Sequence, residues 1–434
     1  MKKALIVILL FISGHPLFSQ TVVHRIIING VINPIATEYI IQSIERADKQ
    51  NAELLVIELD TPGGLMESMH QIVKAIQASD VPVAVYVAPS GSRAGSAGVF
   101  ITYAAHIAAM TSSTNIGSAH PVFGQDPTGN KQDSSSAGAM MEKVVNDAVA
   151  KIRSMAEKRH RNADWAEKAV RESANITESE ALKLKVIDYV TPSLDSLLKV
   201  INGKVIALDS GASKKLDTRQ AQLLTFEMSI RQRILDTIID PNVAYFLMMF
   251  GVFGLMFELY NPGSILPGIV GAICLITGLY SMETLSVNYA GLLLIIFAII
   301  MFLLEIKVTS YGLLSIGGVI SMIMGSIMLF DSPLPFMRVS LYIIVTFAIL
   351  SALFFVFAIG MTLRTHRKPP TTGTQGMVGE IGKVIRAIDP EGTVMIHGEY
   401  WRAASVQPIA EGRKVRVIEV DSKSLKIIVE GVES

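Results

Sequence analysis

The chain has 434 residues, 50% of them hydrophobic, and a mean hydropathy of +0.45, too apolar for a wholly water-facing protein and too long for one domain. Its 38 basic residues balance 38 acidic ones, so nothing global draws it to nucleic acid or another polyanion. The single cysteine, Cys274, excludes an intrachain disulfide framework and any cysteine-rich metal site, and no cofactor motif stands out.

The opening MKKALIVILLFISGHPLFSQ puts Lys2 and Lys3 before a short apolar core and then small and polar residues. The core is well short of the ~20 residues a spanning helix needs, so residues 1–20 are predicted to be a signal peptide that sends the downstream chain out of the cytoplasm. From residue 21 to 193 strand-like and helix-like segments alternate. VVHRIIING reads as a strand, PIATEYIIQSIERADKQ as an amphipathic helix, LLVIELD as a buried strand, LMESMHQIVKAIQAS as a helix and VPVAVYVA as a strand. This βαβ order predicts a mostly parallel sheet, in which ligand-bearing loops follow the strands' C-terminal ends.

Two such loops carry the chemistry. Thr61-Pro62-Gly63-Gly64 follows one strand, and PSGSRAGSAG at Pro89–Gly98 follows another and runs into a small-residue helix that begins at Ser96. A serine at a strand-to-helix junction lies beside N–H groups without intrahelical partners, a geometry that suits a nucleophile and its oxyanion donors. The Ala97 N–H and those of Gly63 or Gly64 are the expected donors. Taken alone, each loop reads equally as an ordinary turn, and Ser96 as a helix cap. Two residues downstream are candidate bases. His120, in NIGSAHPV, supplies an imidazole, the side-chain type most often used as a general base. Lys143 opens a long helix predicted from Met140 to Lys158 after a polar, aperiodic loop at Gln125–Ala139, and it needs burial or nearby positive charge to serve as a base. ITESEALKLKVIDYV then reads as a helix with a capping box at Thr177–Glu180, followed by a strand.

Residues 194–240 read as a connector whose second half, LLTFEMSIRQRILDTIID, is an amphipathic helix for the membrane surface or for packing as a linker. Residues 241–364 hold five apolar runs, Val243–Tyr260, Ile265–Tyr280, Tyr289–Leu304, Leu313–Phe330 and Leu341–Leu363, each near bilayer-spanning length, with the first two joined tightly enough for a hairpin or a re-entrant pair. Lys307 and the Arg364–Lys368 cluster put the C-terminus in the cytoplasm, against the single charge of Arg338 outside. After a linker at 365–374, residues 375–434 form five short strands of an OB-type barrel. Its few aromatics and slight acidic excess argue for binding protein rather than nucleic acid.

These residues carry a resemblance. DTPGG at Asp60–Gly64, SGSRAGSAG at Ser90–Gly98, NIGSAHP at Asn115–Pro121 and ITESEALKLKVIDYV at Ile176–Val190 are similar to the ClpP-class membrane-bound serine proteases of the crotonase-like fold. With FELYNPGSILPGIVG at Phe257–Gly271 and GEYWRAAS at Gly398–Ser405, the whole chain resembles a long-form NfeD protein. The resemblance implies an α/β protease domain, a multi-pass helical membrane domain and an OB-fold domain. It implies a Ser–Lys dyad with Ser96 as nucleophile and Lys143 as general base. His120, near the histidine position of ClpP's triad, is the alternative base, although the region around Ala169 supplies no matching aspartate. The implied activity is a membrane-anchored serine endopeptidase, homo-oligomeric, with its protease domain extracytoplasmic. It would cut apolar or membrane-proximal segments, contact lipid and act with a stomatin/prohibitin-like protein. A non-catalytic scaffold organising such partners through the OB domain is the competing expectation.

Overall fold

The computed structural model describes residues 21–122, 134–260, 263–282, 287–308, 310, 312–330, 332, 335–366, 374–421 and 424–432. The predicted signal peptide, residues 125–133 of the predicted loop and most of the 365–374 linker lie outside the described residues, and the helix expected from Met140 already begins at Ser134.

The N-terminal domain runs β1 (Val22–Asn29), α1 (Pro34–Lys49), β2 (Leu54–Asp60), α2 (Met66–Ala78), β3 (Val83–Val87), β4 (Arg93–Gly95), α3 (Ala97–Ala104), β5 (Ile107–Met110) and β6 (Asn115–Gly117). It continues with α4 (Ser134–Lys158), α5 (Ala163–Arg171), β7 (Asn175–Thr177), α6 (Glu178–Lys183), β8 (Tyr189–Val190), α7 (Leu194–Ile201), β9 (Val205–Ala207), β10 (Ser213–Lys215), β11 (Gln222–Thr225) and α8 (Ile230–Ile239). Six strands form an all-parallel sheet in the order β11-β1-β2-β3-β5-β8, and a second sheet joins β4, β6 and β7. An all-parallel sheet needs cover on both faces. Here α1 and α2, through Ile40, Ile44, Ile72 and Ile76, share one core with α3 and α4, while Leu197, Leu198 and Ile201 of α7 cover Val23, Leu54, Val56 and Tyr86 on the other face. That double cover is why β2 reads as an apolar run broken only by Glu58, which pairs with Arg25, rather than as an alternating one.

The expected connector is different in kind. Residues 194–225 belong to the domain: α7 enters its core, β9 and β10 pair antiparallel, and β11 extends the central sheet beside β1. The expected amphipathic helix is correspondingly shorter. Leu223 and Leu224 are in β11, and only α8 is helical, docked on α1 through Asn33 Nδ2 to Asp236 Oδ1 (2.7 Å) and Gln232 Nε2 to Gln42 Oε1 (3.1 Å). β11 pairs through its backbone on one side only and is mostly exposed, so it left no hydrophobic pattern to read. The predicted capping box does form, with Thr177 and Glu180 each satisfying the other's backbone.

Five apolar helices follow: α9 (Pro241–Tyr260), α10 (Ile265–Met282), α11 (Tyr289–Lys307), α12 (Leu313–Leu329) and α13 (Leu341–His366). Among the described residues Pro241–Leu259 and Ile265–Met282 are long and apolar enough to cross a bilayer, with mean hydropathies of 1.6 and 1.9. Glycines let backbones meet. A Cβ on Gly254 would lie 2.9 Å from Gly271 Cα, and one on Gly291 would lie 2.8 Å from the Gly325 carbonyl. Such small-residue contacts are how helices pack where no hydrophobic force separates protein from lipid. The C-terminal unit closes β12 (Ile381–Arg386), β13 (Glu391–Ile396), β14 (Glu399–Ala404), β15 (Lys414–Asp421) and β16 (Lys426–Gly431) into a barrel of order β12-β13-β14-β16-β15 around Val384, Val394, Ala403, Val415 and Ile427.

Candidate active site

Ser96 is the N-cap of α3, with φ 47° and ψ −107°. A positive φ is uncommon for a non-glycine residue and is held only where the surroundings over-determine it. The surroundings do so here. The Ser96 N–H donates to the Gly117 carbonyl (3.1 Å), the Gly95 N–H to the Thr61 carbonyl (2.9 Å), and the Thr61 N–H to the Arg93 carbonyl (2.8 Å). The hydroxyl of this cap makes no bond to its own helix, so it is left for other work. Small residues make the turn feasible, since a Cβ on Gly95 would meet the Pro62 carbonyl at 2.9 Å and one on Gly98 the Thr61 methyl at 2.7 Å.

Ser96 lines a cavity of about 70 Å³ with Gly64, Ala97 and His120, walled by Met66, Met69, His70, Phe100, Ala119, Pro121, Val122 and Ala148. Gly64, Ala97 and His120, all predicted site residues, thus share the cavity of Ser96. Gly63 stands against Ser96 from behind, where an added Cβ would come within 2.6 Å of Ser96 Cβ. Its N–H is already taken by Thr61 Oγ1 (3.0 Å), which leaves Gly64 as the glycine of the pair that lines the cavity. The Ala97 N–H, first in α3, has no intrahelical partner by position and points with the helix's positive pole.

His120 is half-buried, and its Nδ1 lies 2.8 Å from the Val170 carbonyl. A carbonyl only accepts, so Nδ1 carries the proton and Nε2 keeps its lone pair in the neutral ring. Lys143 is exposed on α4 and is not among the residues that line the cavity; Ala148 is the α4 residue that does. His70 was not singled out from the sequence. It sits beside Met66 and Met69 in the first turns of α2, directly after the Gly-Gly loop, and a histidine in an otherwise apolar helical stripe was the available signal. Burial, and then the charge of Lys151, hold its imidazole below the usual histidine range. Among the described residues no group of three or more His, Cys, Asp or Glu is placed to hold a metal ion.

Residues 22–208 match the N-terminal domain of NfeD1b, residues 242–360 the NfeD integral membrane domain, and residues 374–430 the NfeD-like C-terminal, partner-binding domain. The chain is 34% identical to the membrane-bound protease PH1510 of Pyrococcus horikoshii over 98% of its own length and 97% of that protein. It is 26% identical to the membrane protein NfeD1b of Bacillus subtilis, over 90% of this chain and 88% of the other. A solved structure of a membrane protease specific for a stomatin homolog, from Pyrococcus horikoshii, is 30% identical, covering 51% of this chain and 100% of that one with a TM-score of 0.42.

Proposed function

We propose, from the premise that this chain belongs to the long-form NfeD family, that it is a membrane-anchored serine endopeptidase with Ser96 as its nucleophile. The observation that carries the reading is the strained Ser96 at the head of α3, facing one cavity together with Gly64 and Ala97. In this reading Ser96 Oγ attacks a peptide carbonyl, and the Gly64 and Ala97 N–H groups receive the oxyanion. A base takes the serine proton and returns it to the leaving amine. Water then releases the acyl group by the reverse path. The apolar walls from Met66, Met69 and Phe100 suit an apolar residue at the scissile bond, and the apolar helices after the domain hold the site near a bilayer. A stomatin/prohibitin-like membrane protein is the proposed partner, met by the C-terminal barrel, and the domain bearing Ser96 is proposed to be extracytoplasmic in a homo-oligomer.

Lys143 is proposed as the general base, as the family resemblance assigns it. An exposed ammonium needs desolvation to give up its proton near pH 7, so this reading requires substrate or a second chain to cover α4. His120 is the second reading. It already shares the cavity with Ser96, and the Val170 carbonyl fixes its tautomer with Nε2 unprotonated. The test is fluorophosphonate labelling of the full-length protein in bilayers, with the site identified by mass spectrometry, alongside peptide cleavage. Ser96→Ala should abolish both. Removing the true base should cost a factor of about 10²–10⁴, so Lys143→Ala and His120→Gln separate the two readings. Wild-type protein that stays unlabelled, with Ser96 folded as described, would favour the scaffold role instead.

A further inference from the structure

Helix α3 has eight residues, all of them buried. Helices this short are not stable by themselves, and burial makes each unpaired terminal carbonyl costly. Every one of those carbonyls is accounted for. Ile101 accepts from the Ala105 N–H (3.2 Å). Arg161 Nη1 lies 3.0 Å from the Thr102 carbonyl, 3.1 Å from that of Tyr103 and 3.0 Å from that of Ala105. Arg159 Nε donates to the Ala104 carbonyl (3.1 Å). Arg161 is itself fixed by Asp188, through Nη2 at 2.7 Å and Nε at 3.3 Å, and Asp188 also accepts the Ala108 N–H of β5 at 2.8 Å. The Arg161 side chain is 2% exposed. An arginine used for surface solvation or simple ion pairing does not look like this.

The position of Arg161 gives the clamp its reach. Arg159 and Arg161 stand immediately beyond α4, where His160 at φ 57° turns the chain and the Arg161 N–H returns to the Ala156 carbonyl (2.8 Å). One end of α4 is therefore bolted to the C-terminal end of α3. Further along, α4 supplies Ala148 to the wall of the Ser96 cavity and carries Lys143. We infer that Arg161 is a positioning residue for Ser96: it anchors the far end of the nucleophile's helix and sets that helix against α4, so that Ser96, the Ala97 N–H and the cavity wall hold one register. The inference rests on the proposed peptidase reading for its catalytic consequence. Its structural premise, that a clamp on the C-terminal end of α3 keeps the Ser96 end in register, is read independently.

The test compares wild type, Arg161→Lys, Arg161→Met and the control Arg153→Gln in the full-length protein. Arg153 lies on α4 and pairs with Asp164 and Glu167 at the surface, away from α3. Lysine keeps the charge but cannot span three carbonyls and a carboxylate. Amide hydrogen exchange at 96–99 should rise at least tenfold in both Arg161 variants and stay within twofold of wild type in the control. In peptide cleavage kcat should fall at least tenfold with KM within about twofold, and fluorophosphonate labelling of Ser96 should slow in parallel. Exchange at 96–99 unchanged in a folded Arg161→Lys protein overturns the inference whether or not the protein cleaves peptides. So does kcat preserved while only Tm falls. Loss of register at 96–99 in a protein whose wild type never labels upholds the clamp and removes the peptidase reading.

Discussion

Gly63→Ala tests the back wall of the site, and Gly30→Ala supplies its control. Both glycines sit at positive φ, +125° for Gly63 and +142° for Gly30, so each alanine costs about 1–3 kcal/mol in backbone strain. At about 2–4 °C per kcal/mol for a domain of this size, both variants should melt several degrees below wild type. They differ in what the new methyl meets. At Gly30 nothing lies within 4 Å, whereas at Gly63 it lands 2.6 Å from Ser96 Cβ and 3.1 Å from Ser96 Oγ. That is roughly 1 Å inside ordinary carbon–carbon contact, so Ser96 has to move by about that amount. A displacement of this size costs on the order of 10²-fold in rate. Full-length protein in bilayers, assayed for fluorophosphonate labelling and peptide turnover, should show Gly63→Ala slower than Gly30→Ala by that factor at similar Tm. Equal labelling rates in the two variants would refute the argument that Gly63 supports Ser96.

Three further outcomes concern other parts of the chain. Burial, and next the charge of Arg159, hold the His106 imidazole down at about 4 against 6.5 when unfolded. The unfolded chain therefore takes up a proton that the folded one refuses. Stability should be insensitive to this group above pH 6.5 and fall by up to about 3 kcal/mol as pH drops from 6.5 toward 4. Urea unfolding followed by Trp165 fluorescence in a Trp401→Phe background should show that loss flattened in His106→Gln, and identical pH slopes would count against it. Gly254→Leu pushes a side chain into the Pro267 carbonyl and Gly271 and should cost about 1–3 kcal/mol, seen as a lower melting point in detergent, whereas Ile276→Leu at an exposed position should not. Thr177→Ala removes one half of a formed capping box and should cost about 0.5–2 kcal/mol; an unchanged urea midpoint would show that α6 is held by its packing alone.

Much of the site was legible because its parts are local. The Gly-Gly loop comes after β2 of the parallel sheet, while Ser96 and His120 come after β4 and β6, parallel neighbours in the small mixed sheet that the Thr61–Ala94 bridge ties to the end of β2, and loops after parallel strand ends gather on one side. What pattern could not reveal were facts of three-dimensional assignment. Gly63 and Gly64 look interchangeable in sequence, and only the Thr61 hydroxyl, which takes the Gly63 N–H, separates them. His70 stayed hidden because a lone histidine on a helix is usually read as surface. The distance in sequence between α3 and Arg161 concealed the clamp, since nothing in KRHRN says which carbonyls its guanidinium will find. β11 was missed for a simpler reason: an exposed edge strand has no buried face to impress on its residues.

That strand also bears on how the protein is made and how it is cut into pieces for study. β1 is the first strand of the sheet to be synthesised and β11 the last. Until Thr225 has emerged, Val22–Arg25 offer a bare row of N–H and C=O groups on the sheet's outer side, and such a row is a template for a strand from another molecule. A fragment stopped at residue 208, where the N-terminal domain match ends, keeps Ser96, His120 and Lys143 but not the strand that closes this edge. Its copies should zip together along β1, a route that β11 closes in fragments carried through α8.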